Sequence, residues 1–516
     1  MPGLDRQIID AIDHGNLIQR IRSDIRSDFI LAPHIDSIFV HAADEVWQRT
    51  SELLAAGNYQ PGLPLTISVP KERGFVRPGS ILLPFDRVVY QLLVDSSSNV
   101  LEGQLDRQRA FSHVVSNDVE TMFEPAHECW DRFQQRVLQM CGEGSHIVKA
   151  DIANYFERIP QHHLINLMRS GGCTGAIVNL TEELLLSFQE RDSFGIIQGV
   201  YPSDLLGNFF LSEFDSYCEL NGIPSARYVD DIYMSFSSEA EAREGLISLI
   251  EHLRREGLHL NEYKSGIHLS NAVVRDESAI DDLFENARNE AHDILVDFAM
   301  SGYGFSADWE VIEDPENEHV RLIATNILYN SRQEYVDQAD KIDRFCLPLM
   351  RAAGSDYAVD DVVAQLTTKP HLTRLYYSYL SRFVADSREL VGDLSRIIQS
   401  NSFITDYQRM YVLGALFNAE EISRDAINVA LQWMQSPVVA QEARAFAAIF
   451  VSRHGNPNQK RAVRLAYEGE QSEYVRAAIL FSSRYFTGVE RRTCRLAWGG
   501  HSQVNALIAQ SIVNAE

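Results

Sequence analysis

Basic charge is what this sequence has least of. Its 46 lysines and arginines face 72 aspartates and glutamates, a net charge of −26 over 516 residues. Neither half escapes the deficit: residues 1–270 hold 38 acids and 22 bases (net −16), and residues 271–516 hold 34 and 24 (net −10). Proteins that grip long duplexes draw most of their non-specific affinity from phosphate contacts and carry a basic footprint. Either the bases cluster on one surface, or no extended duplex is held tightly. Long apolar runs are also missing: none approaches the roughly 20 residues that span a bilayer, so no membrane partner is expected. The opening MPGLDRQIIDAIDHG has no basic start followed by an apolar core, so it does not read as a secretion signal. The six cysteines (129, 141, 173, 218, 346 and 494) contain no C-x-x-C pair. That argues against a zinc site or disulfide framework and predicts free thiols in a reducing, cytoplasmic setting.

What the chain does have is apolar material, 45% of its residues with 10% aromatic, enough to bury large cores. At roughly 100–200 residues per domain, two to four domains are expected. Ile8, Ile9, Ile12 and Leu17, then Ile21, Ile25, Phe29 and Ile30, recur near helical spacing, so residues 1–60 read as helical. Residues 61–90 hold short β-like runs, 65–69 and 80–83, broken by Pro and Gly, which predicts a strand pair. Residues 91–146 read as helical. Next come a short strand ending in an acid (147–152), a helix over 205–220, two β runs meeting at a tight turn (226–237) and an acidic amphipathic helix (238–257). From about 275 no strand is expected. Arg409, Arg444 and Arg476 open similar helical stretches 35 and 32 residues apart, which fits stacked helix pairs of an α-solenoid; an irregular bundle is the other reading.

The acids carry the chemistry. Asp151 ends an apolar strand, and Asp230 and Asp231 occupy a turn between two strands. If the strands lie side by side, all three gather at one sheet edge, where hard oxygen ligands suit Mg²⁺. An isolated Asp-Asp pair is ordinarily a solvated turn. Here Tyr228 and Val229 precede it and Ile232, Tyr233, Met234 and Phe236 surround it, which makes an exposed turn a poor fit.

Tyr228-Val229-Asp230-Asp231 resembles the Y-x-D-D motif of reverse transcriptases. Four further stretches match that family in order: VPKERGFVRPGSILLPFDRVVYQLL (69–93), DIANYFERI (151–159), IIQGVYPSDLLGNFFLSEFD (196–215) and GLHLNEYKSGIH (257–268). The resemblance implies an α+β fold: reverse-transcriptase fingers and palm over 1–270, then an all-α, HEAT-like helical domain over 271–516 in place of a thumb. It implies that Asp151, Asp230 and Asp231 bind two Mg²⁺ ions (or Mn²⁺), with the Ile152 carbonyl as a further ligand. Lys71 and Arg77 would bind the triphosphate of a dNTP. Tyr155 would lie under the sugar and select deoxynucleotides, and Gln198 and Gly199 would shape the nucleotide pocket. Lys264 would protonate the leaving pyrophosphate or hold its segment in place. The usual S-P-x-S-P after Gln-Gly is replaced by Val200-Tyr201-Pro202-Ser203-Asp204, which puts ordinary template handling in doubt.

Palm and fingers followed by a long helical half is similar to the abortive-infection (Abi) reverse transcriptases of bacteria. That likeness implies phage defence, template-free DNA synthesis primed on a protein hydroxyl, a single-stranded DNA product attached to the protein, and homo-oligomers. Arg409, Arg444 and Arg476 are then candidates for a narrow strand groove. None of the 20 tyrosines stands out as a primer. Two other readings stay open: a template-dependent reverse transcriptase using a cellular RNA, and an inactive palm kept as a binding scaffold.

Overall fold

A computed structural model describes residues 3–27, 29–189, 192–290 and 315–515. Helices open the chain, as the apolar spacing predicts. Pro33 sits in the first turn of the Pro33–His41 helix, where its missing N–H leaves no bond unmade. Strands β1 (Leu65–Pro70) and β2 (Val76–Ile81) then pair as an antiparallel hairpin with Val69 opposite Arg77. Its tip turns through Arg73 (φ 59°) and Gly74 (φ 78°). A Cβ at Gly79 would lie 2.8 Å from a Val69 methyl, so the hairpin closes only around glycine there.

The helical stretch expected over 91–146 is interrupted. Helix Pro84–Asp95 is followed by the short Ser98–Glu102 helix, and residues 103–125 form a loop before Ala126–Glu143. Arg107 supplies the reason. Its guanidinium pairs with Glu102 and donates to the carbonyls of Ala110 (3.0 Å), Ser112 (2.9 Å) and His113 (3.1 Å). A side chain thus satisfies acceptors that a helix would otherwise have to use.

A four-stranded antiparallel sheet follows, in the order β4-β5-β3-β6, built from β3 (His146–Asp151), β4 (Ser225–Tyr228), β5 (Asp231–Phe236) and β6 (Gly266–Leu269). Alternation along each strand gives the sheet two apolar faces. Val148, Ala150, Ile232 and Met234 belong to the main core, against the Glu239–Arg255 helix. Ile147, Ala226, Tyr228 and Tyr233 pack with Trp130 and Phe133 of the Ala126–Glu143 helix in a second core. Each large apolar side chain buried this way contributes roughly 1.5–3 kcal/mol. The helix expected over 205–220 is two, Tyr201–Phe210 and Ser212–Leu220, bent at Leu211. The bend lets Asn208 on the first and Asp215 on the second reach the same arginine, Arg227.

Beyond residue 271 the described residues form no strand. The helix Ser270–Glu290 lies against both the sheet and the helix Pro315–Asn330, so the expected boundary at 270 falls at its first residue. Ala339–Ala352, Thr373–Leu380, Asp406–Ala415, Gln441–His454, Glu473–Ser482 and Gln503–Asn514 then stack one on the next, with intervening helices such as Arg424–Gln435 outside them. Side-chain N-caps recur along the series; Thr405, Asn456 and Thr487 each make reciprocal capping boxes. Alanines 443, 445, 447 and 448 are fully buried and let the central Gln441–His454 helix approach its neighbours closely. The last helix returns to the first part of the chain and packs on Pro33–His41: Ser37 Oγ lies 3.1 Å from Ser511 Oγ, and Asn514 donates to the His41 carbonyl at 2.6 Å. All six cysteines are unpaired and buried. Among the described residues no helix is long and apolar enough to cross a membrane.

Candidate active site

β4 and β5 are joined by two residues, Val229 and Asp230, because Tyr228 pairs with Asp231. In the neighbouring pair, Asp151 at the end of β3 lies opposite Asp231. Directly opposed residues of an antiparallel pair point to one face, so the register itself brings these two carboxylates together. The turn sets Asp230 beside them. The Ile152 N–H donates to the Asp230 carbonyl at 3.3 Å, so the Ile152 carbonyl, on the same side of its backbone, also faces the turn.

Val229 adopts φ 57°. Such tight hairpin turns ordinarily use glycine or asparagine there, and a β-branched residue in that region costs on the order of 1–3 kcal/mol. The surroundings hold it: the Val229 N–H donates to Ser112 Oγ (2.9 Å). Below the turn Arg227 is 1% exposed. It grips Asp215 through Nε (2.9 Å) and Nη2 (2.7 Å), and Asn208 Oδ1 through Nη1 (2.5 Å). Asn208 in turn donates to the Ser112 carbonyl at 2.7 Å. Ser112 and Arg227 thus support the turn from below, and the motifs alone did not single them out. The available signal was a lone arginine between apolar Ala226 and Tyr228.

The electrostatics follow from crowding. Burial, then Asp231 and Asp151, push the Asp230 carboxyl up from 3.8 to about 7. Lys264 Nζ lies 3.0 Å from Asp151 Oδ2. Burial draws the ammonium down, but Asp151, Asp231 and Asp230 outweigh it and raise its pKa overall. The lysine segment is laced to β3: the Asn261 N–H donates to the Asp151 carbonyl (2.7 Å), and the Asp151 N–H to Ser265 Oγ (3.1 Å). Half-buried acids close enough to raise one another's pKa, with one lysine ammonium already drawn in, are a donor set that fits divalent cations.

The other expected residues divide. Arg77 stacks on the Phe29 ring, 4.6 Å from its centroid. Burial lowers the Arg77 pKa; Tyr407 raises it, Arg344 and Arg374 lower it, and Asp230 raises it, so all four lie within electrostatic reach. Gly199 (φ 92°) closes on the same phenylalanine: a Cβ there would sit 2.3 Å from the Phe29 ring. Gln198, half-buried, precedes it. Lys71 is exposed at the hairpin tip, and among the described residues no ion pair joins it to the acids. Tyr155 is 2% exposed, with its hydroxyl donating to the Gly207 carbonyl at 2.5 Å. Burial is the first cause of its strongly raised pKa, and Asp230 is near enough to add to it. Arg409 and Arg444 are engaged within the helical half, with Asp406 and Glu470 respectively.

Comparison with known proteins bears on the same stretch. Residues 69–295 match the family model described as reverse transcriptase (RNA-dependent DNA polymerase), an interval that holds every one of the site residues above up to Lys264. Protein YkfC of Escherichia coli (strain K12) is 25% identical over 174 residues, 32% of this chain and 43% of that protein, so the chain spans under half the relative's length. Among solved structures, telomerase from Candida albicans in complex with a TWJ fragment of telomeric RNA covers 72% of this chain and 70% of its own at 11% identity, TM-score 0.32. The corresponding Candida tropicalis complex covers 75% and 64% at 11% identity, TM-score 0.31.

Proposed function

We propose, from the premise that residues 69–295 are a reverse-transcriptase domain and the chain a nucleotidyltransferase of the RNA-directed DNA polymerase kind, that it makes DNA from dNTPs without a template, primed on its own hydroxyl, in phage defence. The observation that carries the chemistry is the β3–β5 register, which sets Asp151 opposite Asp231 with Asp230 in the adjoining turn. Asp151, Asp230 and Asp231, with the Ile152 carbonyl, would hold Mg²⁺ or Mn²⁺, which when bound neutralises triphosphate charge and stabilises attacking and leaving oxygens.

The chain's own residues do the rest. Arg77, held on Phe29, and Lys71 at the hairpin tip bind triphosphate oxygens. Gln198 and Gly199 form the floor against Phe29. Tyr155 backs the sugar pocket from within the core. Lys264 keeps a proton well above neutrality and is placed to give it to the departing pyrophosphate. Template-free synthesis is supported by the acid excess in both halves, which favours guiding one strand over gripping a duplex. The consecutive helix stack supports a HEAT-like domain in place of a thumb. Homo-oligomers and covalent attachment of the product belong to the same reading.

The test is incubation of purified protein with each dNTP and Mg²⁺, or Mn²⁺, without added nucleic acid, followed by denaturing gels with and without protease. A ladder that travels with the protein until protease releases it is expected, and Asp230→Ala removes it. Incorporation only on an added RNA template would replace this reading with template-dependent reverse transcription. Ladder formation surviving Asp230→Ala would place the chemistry elsewhere. In cells, the same substitution is expected to abolish any reduction in phage plating.

A further inference from the structure

The acid excess is not uniform along the chain. Residues 453–495 carry nine bases against four acids, net +5, leaving 37 of the 46 bases against 68 of the 72 acids elsewhere. Three of those four acids are occupied: Glu470 by Arg444, Glu468 by the Trp498 indole (3.1 Å) and Glu490 by Arg464 (3.0 Å). The bases meet around two half-buried rings. Phe417, in the turn after the Asp406–Ala415 helix, lies edge-on to Tyr485 with centroids 6.4 Å apart. The Arg453 guanidinium stands 4.5 Å from the Phe417 centroid, and that of Arg484 stands 5.7 Å from the Tyr485 centroid. Lys460 donates to the Tyr485 carbonyl at 2.9 Å, which ties the Pro457–Ala466 helix, with Arg461 one residue on, to the same group. His454 donates to the Phe417 carbonyl (3.0 Å) and fixes that turn against the Gln441–His454 helix. Arg453, Arg461 and Arg484 are exposed and join no ion pair among the described residues. Glu420 and Glu421, exposed just beyond Phe417, pair with none of them.

We propose that this face of the helical half binds a single strand of nucleic acid, with Arg453, Arg461 and Arg484 on its phosphates and Phe417 and Tyr485 offering ring surface to unpaired bases. Arginines that join no carboxylate in so acidic a chain are available to an outside anion, and guanidinium forks suit phosphate oxygens. The strongly negative remainder repels a polyanion, so the field of the whole molecule confines a strand to this patch. Cations interleaved with aromatic rings are the means by which proteins hold unpaired strands. A duplex hides its base faces and needs a longer basic track. These residues lie outside the matched interval 69–295, so the face is separate from the acid cluster. The proposal goes beyond the nucleotidyl-transfer reading, and its test needs no turnover.

Full-length protein in EDTA is titrated into a fluorescent oligodeoxythymidylate, and separately into a fluorescent DNA duplex of the same length, with anisotropy read across a salt series. Arg453→Ala/Arg484→Ala and Arg461→Glu are each expected to weaken strand binding about fivefold or more at low salt. The log–log salt slope of the double variant should shrink by about 1.4, at about 0.7 for each lost phosphate contact. Tyr485→Leu, which keeps every charge, should weaken binding and leave the slope as it is. Arg388→Ala/Arg396→Ala, the same loss of charge on the Arg388–Ser400 helix, should change neither. Arg461 takes no hydrogen bond, ion pair or ring contact among the described residues, so its variant decides the matter if the double variant lowers Tm. Wild-type affinity in Arg461→Glu, or no strand binding by wild type, overturns the proposal, as does tighter binding of the duplex than of the strand. Absence of incorporation by wild type would remove the polymerase reading and leave this binding result standing.

Discussion

Single side chains set the chemistry by standing too close together. Asp230 is pushed up to about 7 by burial and by two carboxylate neighbours, so the metal-free site is electrostatically unfavourable at neutral pH. Asp230→Asn is therefore expected to raise the Tm of the metal-free protein, by roughly 1–3 kcal/mol of stability. Mg²⁺ should raise the Tm of wild type and have little effect on this variant, as differential scanning fluorimetry with and without EDTA will read. Incorporation should fall on the order of 10³-fold in the same variant, the size expected for several kcal/mol of lost charge stabilisation. These acids were legible in the sequence because strand ends and a two-residue turn are local signals. Their gathering at one sheet edge was legible only on the condition that these strands pair, and the pairing and register are what tertiary structure supplies.

Elements, more than loops, hold the reactive turn in its costly backbone. β4 presents Arg227 inward, and the bend at Leu211 lets two helices meet it with Asn208 and Asp215. Removing only the cation strands a buried carboxylate. Arg227→Met is expected to lose about 3–5 kcal/mol in urea unfolding. Arg227→Met combined with Asp215→Leu should recover much of that stability while incorporation stays low, since Asn208 no longer has its arginine and the Ser112 support of Val229 loosens. Full activity in the double variant would show that the network serves only folding. The sequence indicated that residues 205–220 are helical, yet propensity carries no mark of a bend whose reason is a partner on another element.

At the scale of the whole molecule, the helical series departs from the sheet at Ser270–Glu290, passes the hairpin tip and closes on Pro33–His41. His34 lies in that seam, fully buried, edge-on to Tyr474 with ring centroids 4.5 Å apart, and neither ring nitrogen has a hydrogen-bond partner. Burial lowers its pKa from 6.5 to about 3. The unfolded chain therefore binds the proton first, so the stability His34 permits is full above about pH 6.5 and falls as pH drops toward 3. By pH 5 the loss attributable to this residue is on the order of 2 kcal/mol. His34→Phe should flatten the decline of Tm between pH 7.5 and 5; an unchanged slope would mean that the seam does not limit stability.

The sequence by itself determined the kinds of element and the acids at their ends: a strand pair within 61–90, the strand closing on Asp151, the turn that carries Asp230, and a second half without strands among the described residues. Each is a short-range pattern of period, turn residue or cap. Tertiary structure alone decided that Arg409 and Arg444 pair within their own half, and that Ser511 meets Ser37 across 474 residues of chain. Contacts of that separation depend on how finished elements pack, and packing joins surfaces whose partners leave no trace in the local pattern of either.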